Sequence, residues 1–152
     1  MDNVFKKRHS VRRFQKREIE AEKLEEILAA ANSAPSAGNL EAREIVVVKD
    51  VETKKRLAEA AFGQDFLASA PLVLVFFSVP SRSAGEYGER GRELYCLQDA
   101  TIAASFAWLQ AVMLGLSGCW VGAFEESQVN NILGIKEDWR PIALLPLGYS
   151  AE

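Results

Sequence analysis

The longest helical pattern in this sequence places the strongest constraint on its fold. The stretch from Glu93 to Leu116 reads as one helix, which would extend about 36 Å at 1.5 Å per residue. Apolar side chains lie on nearly every side of it and leave only a narrow polar strip near Gln98, Asp99 and Gln110. A helix that is apolar all round must be covered all round. The cover is either the rest of this chain, wrapped around a central helix, or a partner subunit.

Shorter patterns on both sides of this helix alternate between helix and strand. Apolar spacing predicts a helix of about three turns that ends shortly before Pro35. Further helices are predicted at 52–63 and 126–134, strands at 43–50, 72–79 and 141–149, and a short strand or extended turn at 118–124. The charged, glycine-rich stretch 80–91 predicts a mobile loop, which is either a lid or a connection without a function of its own. This mixture favours an α/β or α+β sandwich, and 152 residues suit a single domain, 1–152.

Composition and apolar runs bound the class of protein. With 49% hydrophobic and 26% charged residues, the chain has the composition of a globular protein. The longest apolar run, Ala70 to Pro80, is shorter than the roughly 20 residues that a membrane-spanning helix needs, and therefore predicts a buried strand. No secretory signal pattern is visible, so we expect a cytoplasmic protein that does not bind a membrane. Cys96 and Cys119 are expected to be buried and reduced.

Positive charge is concentrated at the start of the chain. Residues 1–17 hold seven of the 18 Lys and Arg residues and a single acid, Asp2, although the net charge of the chain is −3. An acidic protein would repel a polyanion at long range, so we do not expect it to bind nucleic acid. The basic stretch is therefore either a solvated terminal arm or a binding segment for a small anion.

Several familiar catalytic patterns are missing. Neither of the standard glycine-rich phosphate loops occurs in the sequence. One histidine and two widely spaced cysteines give no set of metal ligands, so we expect no metal site. A serine hydrolase would have to use His9 beside Ser10 without the G-x-S-x-G elbow, which argues against that class.

Four fragments in order resemble the successive signatures of the FMN-dependent nitroreductase family. They are "RHSVRRF" at 8–14, "APSAGNLEARE" at 34–44, "GLSGCWVGAF" at 115–124 and "ALLPLGY" at 143–149. The resemblance implies an α+β fold with a central mixed β-sheet flanked by helices, and a long central helix at a homodimer interface. It also implies that FMN lies in each of two clefts between the subunits.

The resemblance also implies which residues bind the cofactor. They are Arg8, His9, Ser10, Arg12, Pro35, Ser36, Asn39, Gln64, Trp120, Val121, Gly122 and Ala123. In the family, the segment that matches 8–12 holds the phosphate, the ribityl chain and the pyrimidine edge, which places Arg12 near N1 and O2 of the flavin. A cation there stabilises the anionic reduced flavin.

The other matched segments imply different roles. The turn that matches Pro35 to Asn39 reaches the flavin from the other subunit. The segment 120–123 packs along the flavin ring, with a backbone N–H near Gly122 facing N5, and Gln64 approaches the pyrimidine ring. The amide N–H donor at N5 favours the state that accepts a hydride.

This sequence departs from the family pattern at two places. Glu41 and Ala42 stand where the family often has Gln-Pro. Family chains usually continue past "PLGY" with a tail that brings another basic residue to the phosphate, whereas this sequence stops at Glu152. Either Lys6 to Arg13 supply enough charge alone, or FMN binding is weakened, or the protein is a minimal or divergent member.

The implied activity is that of an oxidoreductase. NADH or NADPH gives a hydride to flavin N5, and an organic acceptor such as a nitroaromatic or a quinone then takes two electrons in a ping-pong mechanism. The cofactor carries the chemistry, so no catalytic side chain is expected. The acceptor pocket would be walled by the partner subunit and by residues 62–66 and 81–92. The alternatives are a flavin-binding carrier or sensor without significant turnover, and a structural protein of the same fold that has lost FMN.

Overall fold

A four-stranded antiparallel β-sheet lies at the centre of the computed structural model, which describes residues 3–152. Its strands are β1 (Arg43–Val48), β2 (Leu72–Ser78), β3 (Ser117–Gly118) and β4 (Arg140–Gly148), in the order β1-β2-β4-β3. Ser10 adds a parallel bridge to Gly118, which makes the sheet mixed at the β3 edge. The predicted strands are therefore confirmed. Met1 and Asp2, which belong to the predicted domain and the basic stretch, lie outside the described residues.

Seven α-helices accompany the sheet in the described part of the chain. They are α1 (Val4–Lys7), α2 (Ala21–Asn32), α3 (Val51–Ala60), α4 (Phe66–Ser69), α5 (Pro80–Arg90), α6 (Cys96–Met113) and α7 (Glu126–Leu133). Asp50 caps α3 by accepting a hydrogen bond from the Thr53 N–H at 2.9 Å. Gly134 ends α7 in the left-handed conformation, with φ +67°. The helices predicted before Pro35, at 52–63 and at 126–134 are confirmed.

Alternating side chains of β2 build a core on each face of the sheet. Leu72, Leu74 and Phe76 point to one face, where they pack with α2 and α6. Val73, Val75 and Phe77 point to the other face, where they pack with α3 and α7. All seven residues of β2 are buried because both faces are covered, which explains why the strand reads as an unbroken apolar run. The result is a helix–sheet–helix sandwich of the predicted α+β class.

The predicted long helix is present, with an unusual first turn. Residues 91–95 form a π-helical turn that leads directly into α6. Small side chains on the buried face of α6 allow close packing against α2 and the sheet: Ala100, Ala103, Ala104, Ala107 and Ala111 are almost wholly inaccessible. The opposite face carries apolar side chains that residues 3–152 leave exposed: Phe106 is 39% and Met113 61% exposed.

The stretch 80–91 is mostly helical, so the prediction of a loop there is wrong. Pro80 occupies the first turn of α5, where its fixed φ suits a helix start. Ser83 is buried against Gly91, so close that a Cβ at Gly91 would overlap it. Gly88 interrupts the helix with φ +59°. Three glycines and many charges lower helix propensity, and the packing between α5 and the π-helical turn overrides that preference.

Cys96 and Cys119 are buried free thiols, as predicted. Within residues 3–152, no helix is both long and apolar enough to span a bilayer.

Candidate functional site

The basic segment, defined here as residues 8–13, is fixed to the edge of the sheet. The N–H of Val11 donates to the carbonyl of Gly118 at 2.9 Å, and the Val11 side chain is fully buried. Phe14, just after the segment, pairs with Ser150 and is also buried. Of the two interpretations of the basic stretch, these contacts contradict the solvated arm, because the segment is held along its length.

Three side chains of the basic segment have hydrogen-bond donors without a partner in the described part of the chain. Within residues 3–152, the guanidinium groups of Arg8 and Arg12 and the hydroxyl of Ser10 make no hydrogen bond or ion pair. Arg8 lies over the indole ring of Trp108, with 4.7 Å from Cζ to the ring centroid. Arg12 lies more loosely over Phe66, at 6.0 Å. The two permanently charged guanidinium groups can therefore donate hydrogen bonds to an anion such as a phosphate.

His9 differs from these neighbours because its ring makes a local contact. Its Nδ1 lies 3.0 Å from the carbonyl oxygen of Lys7, and since a carbonyl can only accept, Nδ1 carries the proton in this arrangement. The ring remains exposed. His9 is therefore oriented by the end of α1 and presents its other nitrogen outward.

The carboxylate of Glu152 binds backbone N–H groups of the basic segment and not its side chains. The N–H groups of Arg12 and Arg13 both donate to Oε2 of Glu152, at 2.6 and 3.1 Å. These hydrogen bonds, with the Arg13 charge nearby, hold the pKa of the Glu152 carboxyl below its ordinary value. The contact anchors the main chain and leaves the arginine side chains free.

The segment 118–123 lies directly beside the basic segment. Val121 pairs with Leu144 of β4 through two 2.9 Å hydrogen bonds, which continue the sheet edge beyond β3. Trp120 packs into the core, whereas Gly122 and Ala123 are exposed. Within residues 3–152 the Gly122 N–H has no hydrogen-bond partner, so it is available to a ligand.

Gln64 joins this group through its side-chain amide. Its Nε2 donates to the carbonyls of Ala61 at 3.0 Å and Ala123 at 3.2 Å. The structure thus brings three of the predicted segments together: 8–12, Gln64 and 120–123. The role of Gln64 visible here is to tie the loop after α3 to Ala123, and its approach to a pyrimidine ring stays a prediction.

The turn at Pro35 to Asn39 lies elsewhere, over the first part of α6. It lines a cavity of about 600 Å³ together with residues of the π-helical turn and α6, among them Tyr95, Gln98 and Ile102. Its contacts run to Tyr87 of α5, Asp99 of α6 and Arg43 of β1, and no hydrogen bond among residues 3–152 joins it to the basic segment, so these residues alone do not complete the predicted set. The expectation that this turn serves the site of a second subunit stays a prediction.

Two buried charged residues hold that turn in shape. The carboxylate of Asp99 accepts the N–H groups of Ala37 at 3.0 Å and Ala42 at 3.1 Å. The guanidinium of Arg43 donates to the carbonyls of Asn32, Ala34, Pro35 and Asp99, the shortest distance being 2.7 Å to Ala34. Asp99 is 2% and Arg43 6% exposed.

Sequence reasoning missed the importance of this pair. Asp99 stood out only as part of a polar strip on an apolar helix, and Arg43 only as the first residue of a strand. The available signal was the presence of a carboxylate on a helix that must be covered all round, because a charge in such a place needs dedicated partners.

Comparison with known proteins gives the family. The sequence matches the model of the nitroreductase family at residues 5–64 and 61–149. An NADH dehydrogenase of Thermus thermophilus is 32% identical over 173 residues, an alignment that covers 96% of this chain and 84% of the relative.

Solved structures agree in fold. An FMN-dependent nitroreductase from Clostridium difficile superposes with a TM-score of 0.85 at 31% identity, covering 98% of this chain and 87% of that one. An NADPH:FMN oxidoreductase from Vibrio harveyi, solved in complex with NAD+, gives 0.89 at 28% identity, covering 98% and 68%. Because the family model matches most of the chain and the architecture agrees with these structures, the protein belongs to the nitroreductase family.

Proposed function

We propose that this protein is an NAD(P)H-dependent flavin oxidoreductase that binds FMN beside the basic segment. One observation carries the proposal: Arg8, Ser10 and Arg12 have donors without a partner among residues 3–152, and their segment pairs with Gly118, which leads into the exposed Gly122 and Ala123. The donor set fits a ligand with a phosphate dianion at one end and a planar ring at the other. Family membership and relatives described as FMN-dependent or as NADPH:FMN oxidoreductase support it.

Each part of the basic segment would meet a different part of the cofactor. Arg8 and Ser10 would hold phosphate or ribityl oxygens, with the charged fork of the arginine and the compact hydroxyl of the serine as donors. Arg12 would keep a permanent positive charge at the pyrimidine edge, where negative charge develops on reduction. His9, oriented by Lys7, would line the ribityl chain.

The segment 120–123 would support the flavin ring. Gly122 has no side chain to separate its backbone from a planar ligand, and its free N–H would serve as the donor to N5. Val121 would be held in place by its pairing with Leu144. FMN, when bound, would supply the redox chemistry by accepting a hydride from NADH or NADPH and passing its equivalent, two electrons and a proton, to an organic acceptor such as a nitroaromatic or a quinone.

We propose that a second copy of the chain completes the site. The exposed apolar face of α6, which includes Phe106 and Met113, needs a cover that residues 3–152 do not provide. A twofold dimer through this face would bury it and bring the Pro35–Asn39 turn of one subunit to the other's basic segment. Sedimentation of the purified protein should give a dimer, and Met113→Glu should shift it toward monomer and release flavin. A flavin-loaded monomer in the unaltered protein would contradict this arrangement.

The decisive experiment is an anaerobic visible spectrum of the purified protein, with and without added FMN, before and after NADH or NADPH. A bound flavin band that bleaches with the nicotinamide and returns with a quinone or nitroaromatic supports the reductase. A flavin that is bound but reoxidised sluggishly by every acceptor indicates a carrier or sensor instead. A protein that takes up no FMN would overturn the proposal.

A further inference from the structure

Arg8 is held by an aromatic side chain from a distant part of the sequence. Trp108 of α6 is 8% exposed, and the Arg8 guanidinium lies over its indole ring at 4.7 Å. Arg8 follows α1 directly, so its backbone is fixed while its long side chain has several rotatable bonds. The indole face attracts the cation without accepting a conventional hydrogen bond, so the guanidinium keeps its N–H donors for another partner.

The buried indole of Trp108 leaves its N–H unpaired within residues 3–152, and packing alone does not explain why a tryptophan stands here. Its Nε1–H is buried and has no hydrogen-bond partner in the described part of the chain. The ring packs beside Gly118, where a Cβ would come within 3.4 Å of Nε1. A phenylalanine or leucine would fill an apolar site without leaving a buried N–H unpaired. What tryptophan offers and leucine does not is the strongest cation-binding face among the side chains.

We propose that Trp108 is a positioning residue that orders Arg8 for the phosphate of FMN, and so sets the preference of this protein for FMN over riboflavin. The inference rests on the proposed function and deepens it. A flexible arginine must lose rotamer freedom when it grips a phosphate, and the stack removes part of that freedom before the ligand arrives. Riboflavin has the same ring and ribityl chain but no phosphate, so it gains nothing from an ordered Arg8.

The test compares the dissociation constants of FMN and riboflavin, measured by quenching of flavin fluorescence. Trp108→Leu should weaken FMN binding by about fivefold, the size expected when binding must again order one long side chain, and change riboflavin binding by less than about twofold. Trp108→Phe keeps an aromatic face and should restore most of the difference. Equal weakening of both ligands would mean a structural role and would overturn the inference.

A double-mutant cycle with Arg8 sharpens the test. In an Arg8→Ala background, Trp108→Leu should have no further effect on FMN, because the residue it orders is gone; additive effects would contradict the inference. Arg17→Ala is the matched control, since it also removes one positive charge and one arginine–aromatic stack, at 3.7 Å over Tyr149. It should leave the ratio of FMN to riboflavin affinity unchanged.

Thermal unfolding of each variant shows whether a loss of binding comes from a loss of folding. If Trp108→Leu does not fold, Arg8→Ala and Trp108→Phe still test the inference. Equal binding of FMN and riboflavin by the unaltered protein would overturn the inference and leave the flavin site in place. Binding of neither would overturn the proposed function as well.

Discussion

The basic segment and the turn over α6 both depend on charged residues, but they use their charges in opposite ways. In the turn, the Asp99 carboxylate and the Arg43 guanidinium are buried and hydrogen-bonded to backbone groups. In the basic segment, the side chains of Arg8 and Arg12 make no hydrogen bond within residues 3–152. A buried charge that is hydrogen-bonded to the backbone fixes the shape of that backbone. A charged side chain without a partner, at the edge of the sheet, is available to a ligand. The two regions should therefore respond to mutation in different observables.

The largest expected effect lies in the turn. Arg43→Met should lower the free energy of unfolding by about 3 kcal/mol or more, because several buried carbonyls lose their donor at once. Denaturant titration measures this. Arg82→Met is the control, since Arg82 donates to the Glu41 carbonyl at 2.8 Å from a partly exposed position. It should cost only about 1 kcal/mol. Equal losses would show that burial of Arg43 is not what matters.

The next effect tests the opposite region. Arg8→Ala should weaken FMN binding by about 10- to 100-fold, as expected for loss of a charge-assisted contact. The free energy of unfolding should fall by only about 1 kcal/mol, because the side chain makes no hydrogen bond within residues 3–152 and contributes to folding only through its stack on Trp108. Flavin titration and denaturant titration of the same sample give both numbers. A large loss of stability with unchanged FMN affinity would remove the distinction between the regions.

A smaller effect probes the backbone of the turn. Gly38 has φ +61°, and a Cβ there would meet the Tyr87 hydroxyl. Gly38→Ala should therefore cost about 1–2 kcal/mol of unfolding free energy. Gly85→Ala is the matched control within α5, where a Cβ meets nothing, and it should be neutral or stabilise by up to about 1 kcal/mol. Similar effects at the two glycines would show that the conformation of Gly38 is not required.

The smallest effect concerns pH. The pKa of Glu152 is lowered from its ordinary value of 4.5 by the N–H groups of Arg12 and Arg13, so the carboxylate stabilises the fold above that value. The stabilisation is lost as pH falls through the lowered pKa of the folded protein. The amide NMR signals of Arg12 and Arg13 should titrate with a midpoint below 4.5, and Glu152→Gln should abolish that titration. A midpoint at or above 4.5 would contradict the contact.

Local patterns predicted the fold well where one local signal was enough. The apolar run at β2, the glycine after α7 and the spacing in α2 each define their element. They failed at α5, where Gly88 and Gly91 predicted a loop and packing against Ser83 imposed a helix. They failed again at Arg43 and Asp99, because whether a charge is buried depends on partners that only the fold supplies.

Part of the arrangement of the candidate site was predictable, while the ligand that it holds stays a proposal. Arg8 and Arg12 stood out by charge and, together with Ser10, by resemblance to the family, and the structure pairs their segment with Gly118. Trp108 did not stand out, because an aromatic residue on an apolar helix reads as core. Its contact with Arg8 joins residues that are distant in the sequence, which no local pattern can reveal.

Gly118 has a consequence for how this sequence can diverge. A Cβ there would overlap the Leu147 side chain and the Pro146 carbonyl of β4, whereas it would only touch the Trp108 indole, at 3.4 Å. The close approach of the neighbouring strand therefore excludes a side chain at 118, whichever residue stands at 108. Among relatives that keep this strand pairing, we expect position 118 to stay glycine while position 108 can change.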